Sequence, residues 1–305
     1  MIIIVGPTGV GKSKLSIDIA KKVSGEVVNF DSRQIYKHMY VGTATPSIAE
    51  QDNIPHHLYG FIDPKIQFSV YDFRTHVKTK IDEIKDRGNT PILVGGTGQY
   101  IWSLVENWDL SDIPPNNHLR KDLDFVLQNH GIKGLQEFLL KLPNFTNQIE
   151  IDFNNPRRVI RLIEKLLNPT PDISNNYKNH ISNNMQILGI TIDRTTLYSK
   201  VDNRIKQMFC HNSLPEEVNS LIQKGYTDSL SAMTSIGYLE TAQLLKNEID
   251  LDTCIEKIQF RTHKYIRSQY NWFKLNDSRI QWFNLTDIPK TQILDKINHH
   301  ISLLT

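Results

Sequence analysis

The first thirteen residues leave this chain little choice of fold. Met1-Ile2-Ile3-Ile4-Val5 is a short apolar, β-branched run, the composition of a strand buried on both faces. It runs straight into Gly6-Pro7-Thr8-Gly9-Val10-Gly11-Lys12-Ser13, which satisfies G-x-x-x-x-G-K-[ST] without a mismatch. Lys14-Leu15-Ser16-Ile17-Asp18-Ile19-Ala20 then reads as the opening of an amphipathic helix. Strand, glycine-rich turn and helix N-terminus in that order make a phosphate cradle. Backbone N–H groups point inward, the helix dipole adds partial positive charge, and Lys12 supplies a full one. Ser13 is placed to hold Mg²⁺ on the same phosphates. A ligand bearing a polyphosphate is therefore expected.

Composition narrows the class. A chain of 305 residues is longer than most single domains, so a large core with a smaller module is expected. No apolar run approaches the ~18 residues that span a membrane, so no membrane association is expected. The apolar N-terminal stretch is short and lacks a basic flank, unlike a signal peptide. Cys210 and Cys254 stand far apart with no metal-binding spacing, which predicts a reducing, cytoplasmic setting. A net charge of +2 means that any nucleic-acid contact must rest on local clusters.

Further along, Glu26-Val27-Val28-Asn29-Phe30 reads as a second strand ending in Asp31-Ser32-Arg33-Gln34-Ile35-Tyr36. Polar residues past a strand's carboxyl end lie at the ligand edge of an open α/β sheet. Residues 40–68 read as a long loop with short pieces, 70–87 as a helix, and Pro91-Ile92-Leu93-Val94 as a buried strand closed by Gly95-Gly96-Thr97-Gly98. From 114 to 184 there is no strand pattern, only helix-length stretches at 119–128, 134–141 and 157–167. Residues 185–192 return to the sheet, and helices are expected from there to the C-terminus. The expected organisation is a catalytic core from 1–113 and 185–305, interrupted by a helical insertion at 114–184. The expected fold is α/β: a P-loop NTPase-like parallel sheet flanked by helices, with an inserted all-helical domain.

Three features carry chemistry. Asp31 is a carboxylate facing the phosphate site, open to roles as Mg²⁺ ligand, general base or turn cap. The strand ending at Val94 has no carboxylate, which weakens a small-molecule kinase reading. At ~100° per residue, Arg157, Arg161 and Lys165 form one stripe and Val159, Ile163 and Leu166 the opposite one, so that helix shows a basic face. That face is either solvated or a phosphate-backbone contact. On a later helix, Lys257, Arg261 and Lys264 share a face edged by Tyr265 and Trp272, while Ile266 and Phe273 read as core.

Nine segments, in order, resemble the tRNA dimethylallyltransferase family of the compact bacterial type. They are Gly6–Ser13, Asp31–Tyr36, Val41–Pro46, Pro55–His57, Tyr71–Arg74, Val94–Gly98, Asn155–Arg158, Ile236–Tyr238 and Gln269–Phe273, covering the chain to about Phe283. The resemblance implies transfer of dimethylallyl from dimethylallyl diphosphate to N6 of the adenosine just 3′ of the anticodon. It implies that Gly6, Pro7, Thr8, Gly9, Val10, Gly11, Lys12 and Ser13 hold the donor's pyrophosphate, with Mg²⁺ on Ser13. Catalysis would use Asp31 as base, Ser13, and Arg204 on the leaving group. The flipped base would meet Asp31, Ser32, Arg33, Gln34 and Thr97. The anticodon stem-loop would meet Arg120, Arg157, Arg158, Val159, Ile160 and Arg161, with further contacts from 234–239 and around Arg267. A monomer is expected. The chain departs from the family pattern at Gln99, at Thr234 and at His211-Asn212-Ser213. The competing readings are an adenylate isopentenyltransferase acting on free AMP, ADP or ATP, a P-loop kinase, and an RNA-binding protein without catalysis.

Overall fold

The computed structural model describes residues 1–108, 116–146, 149, 151–168, 185–210, 213–287, 292, 294 and 295. Along the chain the elements are β1 (Ile2–Val5), α1 (Lys12–Val23), β2 (Gly25–Asn29), α2 (Ile48–Gln51), β3 (His56–His57), α3 (Val70–Asp86), β4 (Thr90–Val94), α4 (Gly98–Val105), α5 (Asn117–Leu140), α6 (Pro156–Leu167), β5 (Gln186–Thr191), α7 (Arg194–Cys210), α8 (Ser213–Gln223), α9 (Tyr238–Leu245), α10 (Leu251–Trp272) and β6 (Ile280–Asn284).

The six strands form one parallel sheet in the order β3-β2-β4-β1-β5-β6. All four residues of β1 are buried, as an apolar run with a strand on each side requires. Ile3 is paired with Leu93 on one side and Ile187 on the other. Because every strand points the same way, the loops leaving β1, β2, β4 and β5 gather at one edge. The turn after β1 tolerates only glycine at Gly6, where φ is 144° and a Cβ would lie 2.3 Å from the Ile190 carbonyl oxygen. The helix at residues 70–87 starts where a capping box sets it: Ser69 Oγ accepts the Asp72 N–H at 3.2 Å, and Asp72 accepts the Ser69 N–H at 2.8 Å.

Two strands escape the sequence pattern. β3 has only two residues, too few for a period. β6 pairs with β5 where helices alone were expected. Its five residues include Gln281 and Asn284, because an edge strand need bury only part of its surface.

The chain divides into two compact units, Met1–Val105 with Ile181–Thr305, and Glu106–His180. In the second unit α5 and α6 pack around Leu123, Leu135, Leu139, Val159, Leu162, Ile163 and Leu166. Gly131 breaks the helical geometry inside α5. Glu164 is fully buried there and accepts from Arg120 Nε (2.7 Å), Arg120 Nη2 (3.0 Å), Arg161 Nη1 (2.9 Å) and the Asn116 N–H (2.9 Å). These contacts hold its pKa down against the burial that would raise it.

In the first unit a buried carboxylate, Glu26, plays a similar part. It accepts from Arg87 (2.8 and 3.1 Å) and Asn89 (2.7 Å) and pairs with His57 Nε2 (2.6 Å). The Arg87 hydrogen bonds lead in holding its pKa down to about 2, from an ordinary 4.5. The unfolded chain therefore binds a proton more readily, so the stabilisation is complete above pH 4.5 and is lost as pH falls toward 2. Glu26→Gln cannot ionise and should flatten the fall in the urea midpoint between about pH 5 and 2. Parallel profiles for the variant and wild type would remove Glu26 as an acid-sensitive anchor.

Candidate active site

The site is assembled at the carboxyl edge of the sheet. Lys12, the first residue of α1, turns back and donates from Nζ to the Gly6 and Pro7 carbonyls, both at 2.9 Å. Its surroundings lower its pKa to about 8: burial dominates, Asp31 opposes it, and Arg204 adds to it. Arg204, on α7, is the second half-buried cation, and desolvation lowers its pKa. Its Nη2 donates to Thr8 Oγ1 at 3.3 Å, while its Nε is buried without a hydrogen-bond partner. Two cations and an orphaned guanidinium N–H beside a glycine loop suit a polyanion.

Asp31 follows β2. Its N–H donates to Asn29 Oδ1 (2.8 Å), and its Oδ1 accepts the Arg33 N–H (2.9 Å), so the carboxylate also caps its own turn. Thr97, after β4, accepts the Ser32 N–H at 2.9 Å. The loops after β2 and β4 are thereby tied together. Burial, with Asp31 adding to it, pushes the phenols of Tyr59 and Tyr265 well up, so both remain neutral donors.

Thr8, Asp31, Ser32, Arg33, Thr97 and Arg204 line one cavity of about 320 Å³. Its apolar wall comes from Ile205, Met208, Leu214, Ile236 and Ile258. Gln99 and Thr234, two of the three departures from the family pattern, line it as well. Of the other candidate residues, Gln34 is committed elsewhere: its Nε2 donates to the Thr43 and Ala44 carbonyls at 3.0 and 3.1 Å. Arg33 donates to the Ser231 carbonyl at 3.0 Å. His211 and Asn212 lie outside the described residues.

The helical unit revises the remaining assignments. Val159 and Ile160 are 0 % and 7 % exposed, so their side chains serve packing and not RNA contact. Arg120 and Arg161 are tied to Glu164, whereas Arg157 and Arg158 are exposed.

Glu217 was not singled out from sequence, and the contacts of Arg261 and Gln269 were not foreseen there. Glu217, on α8, accepts the N–H groups of Tyr40 (2.8 Å), Val41 (2.8 Å) and Gly42 (3.2 Å) and the Tyr238 hydroxyl (2.7 Å). It thus fixes the loop that brings Gly42 and Thr43 to the cavity. Arg261 pairs with Glu240 and donates to the Thr234 carbonyl at 2.9 Å, so it is not a free basic residue. Gln269 continues the buried stripe of Cys254, Ile258, Thr262 and Ile266 on α10. A polar residue in that stripe is the signal that a partner awaits it.

A parallel sheet whose first strand enters a lysine-bearing glycine loop defines a P-loop-like α/β protein. Residues 34–276 match the family model for IPP transferase. The chain belongs to this family of transferases. It is 36% identical over 307 residues to the tRNA dimethylallyltransferase of Staphylococcus haemolyticus, spanning 99% of this chain and 92% of that one. The tRNA isopentenylpyrophosphate transferase of Bacillus halodurans superposes with a TM-score of 0.72 at 33% identity, covering 99% of this chain and 95% of that one. A eukaryotic dimethylallyltransferase acting on tRNA superposes with a TM-score of 0.81 at 27% identity, covering 99% and 79%. Among the described residues no helix is long and apolar enough to cross a membrane.

The lowered pKa of Lys12 makes an anion's affinity depend on pH. Below about 8 the side chain is charged in the empty site; above that, binding must draw in a proton. Beyond the titration of inorganic pyrophosphate itself, its affinity should fall as pH rises through about 8, and Lys12→Met should weaken binding and remove that part of the dependence. Calorimetric titration at several pH values checks both, and wild-type and Lys12→Met profiles that run parallel from about pH 7 to 9.5 would overturn the lowered pKa of Lys12.

Proposed function

We propose that the chain transfers the dimethylallyl group of dimethylallyl diphosphate to N6 of the tRNA adenosine immediately 3′ of the anticodon, releasing pyrophosphate. The observation that carries this reading is the composition of one cavity. Its lining combines the Arg204 guanidinium and the Thr8 hydroxyl, the Asp31 carboxylate beside Thr97, and the apolar side chains of Ile205, Met208, Leu214, Ile236 and Ile258. A diphosphate, an amine-bearing base and a five-carbon chain need those three environments.

On this reading the adenine nitrogen attacks the allylic carbon, forming the C–N bond as the C–O bond to the diphosphate breaks. The electron pair leaves on the pyrophosphate, where Lys12 and Arg204 stabilise it. Asp31 takes the proton from the amino group. Its turn-capping hydrogen bonds preset the carboxylate, so little reorganisation is needed during the step. Among the described residues no group of three or more His, Cys, Asp or Glu could form a metal cage. The donor set fits Mg²⁺, which takes one or two protein oxygens with the rest from phosphate and water. Ser13 would hold the ion, which when bound neutralises charge on the leaving group.

The target base must leave the anticodon-loop stack, at a cost of a few kcal/mol. The exposed Arg157 and Arg158, at the start of α6, suit the RNA backbone as the partner that offsets it. A free nucleotide would have no use for them, which separates this reading from an adenylate isopentenyltransferase.

The test is transfer of labelled dimethylallyl, with Mg²⁺, to unmodified tRNA compared with AMP and ATP. Label should enter the tRNA alone; label in the free nucleotides would move the chain to the alternative acceptor class. Asp31→Asn should lower kcat by ~10²–10⁴-fold with pyrophosphate affinity within a few-fold of wild type. Near-normal turnover would take Asp31 out of the proton transfer. Arg157→Ala with Arg158→Ala should weaken tRNA binding and reduce its logarithmic salt slope by up to about two. An unchanged slope would show that these arginines do not meet phosphates.

A further inference from the structure

Gln269 is 2 % exposed on the last turn of α10, and both ends of its amide are used. Oε1 accepts the Thr8 N–H at 2.9 Å, and Nε2 donates to the Gly96 carbonyl at 3.1 Å. Thr8 belongs to the loop after β1, and Gly96 to the loop after the neighbouring β4. Each contact continues outward. Thr8 Oγ1 accepts from Arg204, and Thr97, next to Gly96, accepts the Ser32 N–H beside Asp31. The packing is close: a Cβ on Gly96 would lie 2.1 Å from Gln269 Nε2.

We infer that Gln269 is a positioning residue that holds the leaving-group loop in register with the acceptor wall of Asp31, Gly96 and Thr97, and that its neutral amide is required for this. The inference rests on the prenyl-transfer reading and extends it to a residue whose amide is spent on two loops. An amide offers one acceptor and one donor a short distance apart, which matches an N–H on one side and a C=O on the other. A carboxylate would still accept from Thr8 but would set a second oxygen lone pair against the Gly96 carbonyl. A leucine would leave the Thr8 N–H without its acceptor and the Gly96 carbonyl with only the long 3.5 Å contact from the Tyr265 hydroxyl. Because the Thr8 N–H is consumed by Gln269, it is not offered to a phosphate. Losing the contact should therefore disturb the alignment of attacking and leaving groups more than anion binding. A misplacement of about 1 Å can cost ~10²-fold in rate.

The experiment compares the full chain with Gln269→Glu and Gln269→Leu. Single-turnover transfer to tRNA at saturating donor is measured across pH, beside the Kd for inorganic pyrophosphate. Both variants should lose ~10–100-fold in rate with the Kd within about 3-fold of wild type. Gln269→Glu should recover relative to Gln269→Leu as pH falls, because a protonated carboxyl regains a donor for Gly96. A purely structural role gives no such divergence. Rates within about 3-fold of wild type, a loss confined to the pyrophosphate Kd, or parallel pH profiles would each overturn the inference. Gly96→Ala, which displaces the amide from the other side, should reproduce the rate loss at unchanged Kd even if Gln269→Leu does not fold. An inactive wild type would instead overturn the prenyl-transfer reading, whereas active wild type with unaltered variants overturns only the role of Gln269.

Discussion

Positive charge concentrated where water is scarce is the constraint around which the catalytic unit is arranged. Lys12 and Arg204 both lie half-buried at the carboxyl edge of the sheet, and desolvation leads in pushing the first down to about 8. Burying cations without full pairing is costly, so the surroundings must supply what solvent no longer does. Lys12 meets this by donating to carbonyls of its own loop, and Asp31 contributes an opposite charge. Arg204 meets it only in part, because its Nε has no partner. Such a site is poised for an anion, and the stability given up in the empty state becomes affinity in the occupied one.

That arrangement depends on the parallel sheet. Four strand ends bring the phosphate loop, Asp31, the Gly95–Gly98 turn and the start of α7 to one edge. Side chains then cross-link these loops. Thr97 holds the Ser32 backbone, Gln269 joins Thr8 to Gly96, and Glu217 fixes residues 40–42. Gln269 is buried and satisfied on both sides, the condition under which such groups add rigidity instead of penalty. The cavity walls are thus set by hydrogen bonds between loops, while the sheet supplies only their starting points.

The helical unit shows how one stripe of basic residues divides its labour. Arg120 and Arg161 both face the buried carboxylate of Glu164, and the Arg120 contact holds α5 to α6. Arg157 and Arg158, one turn earlier on α6, remain exposed. A helical wheel places Arg157 and Arg161 on the same face and cannot separate them. The separation comes from Glu164, which lies three residues beyond Arg161 and draws that guanidinium inward.

Much of the molecule is legible in its residues alone. The apolar run before Gly6, the glycine-lysine loop and the amphipathic helix after it dictate a strand–cradle–helix unit, because steric and hydrogen-bonding rules act within a few residues. The core face of α6, Val159, Ile163 and Leu166, follows from periodicity in the same way. What local rules cannot reach is partner choice across the chain. Gln269 meets Thr8 from 261 residues away, and Glu217 meets Gly42 from 175. The edge strand β6 likewise exists only because β5 presents an open row of backbone groups for it to pair with. The sequence by itself determined the phosphate loop, the sheet that carries it and the identity of Asp31. Tertiary structure alone decided which polar side chains became struts, which arginines stayed free of the Glu164 pairing, and how the loops around the cavity are aligned. Those outcomes depend on contacts between distant segments, and such contacts exist only once the chain has folded.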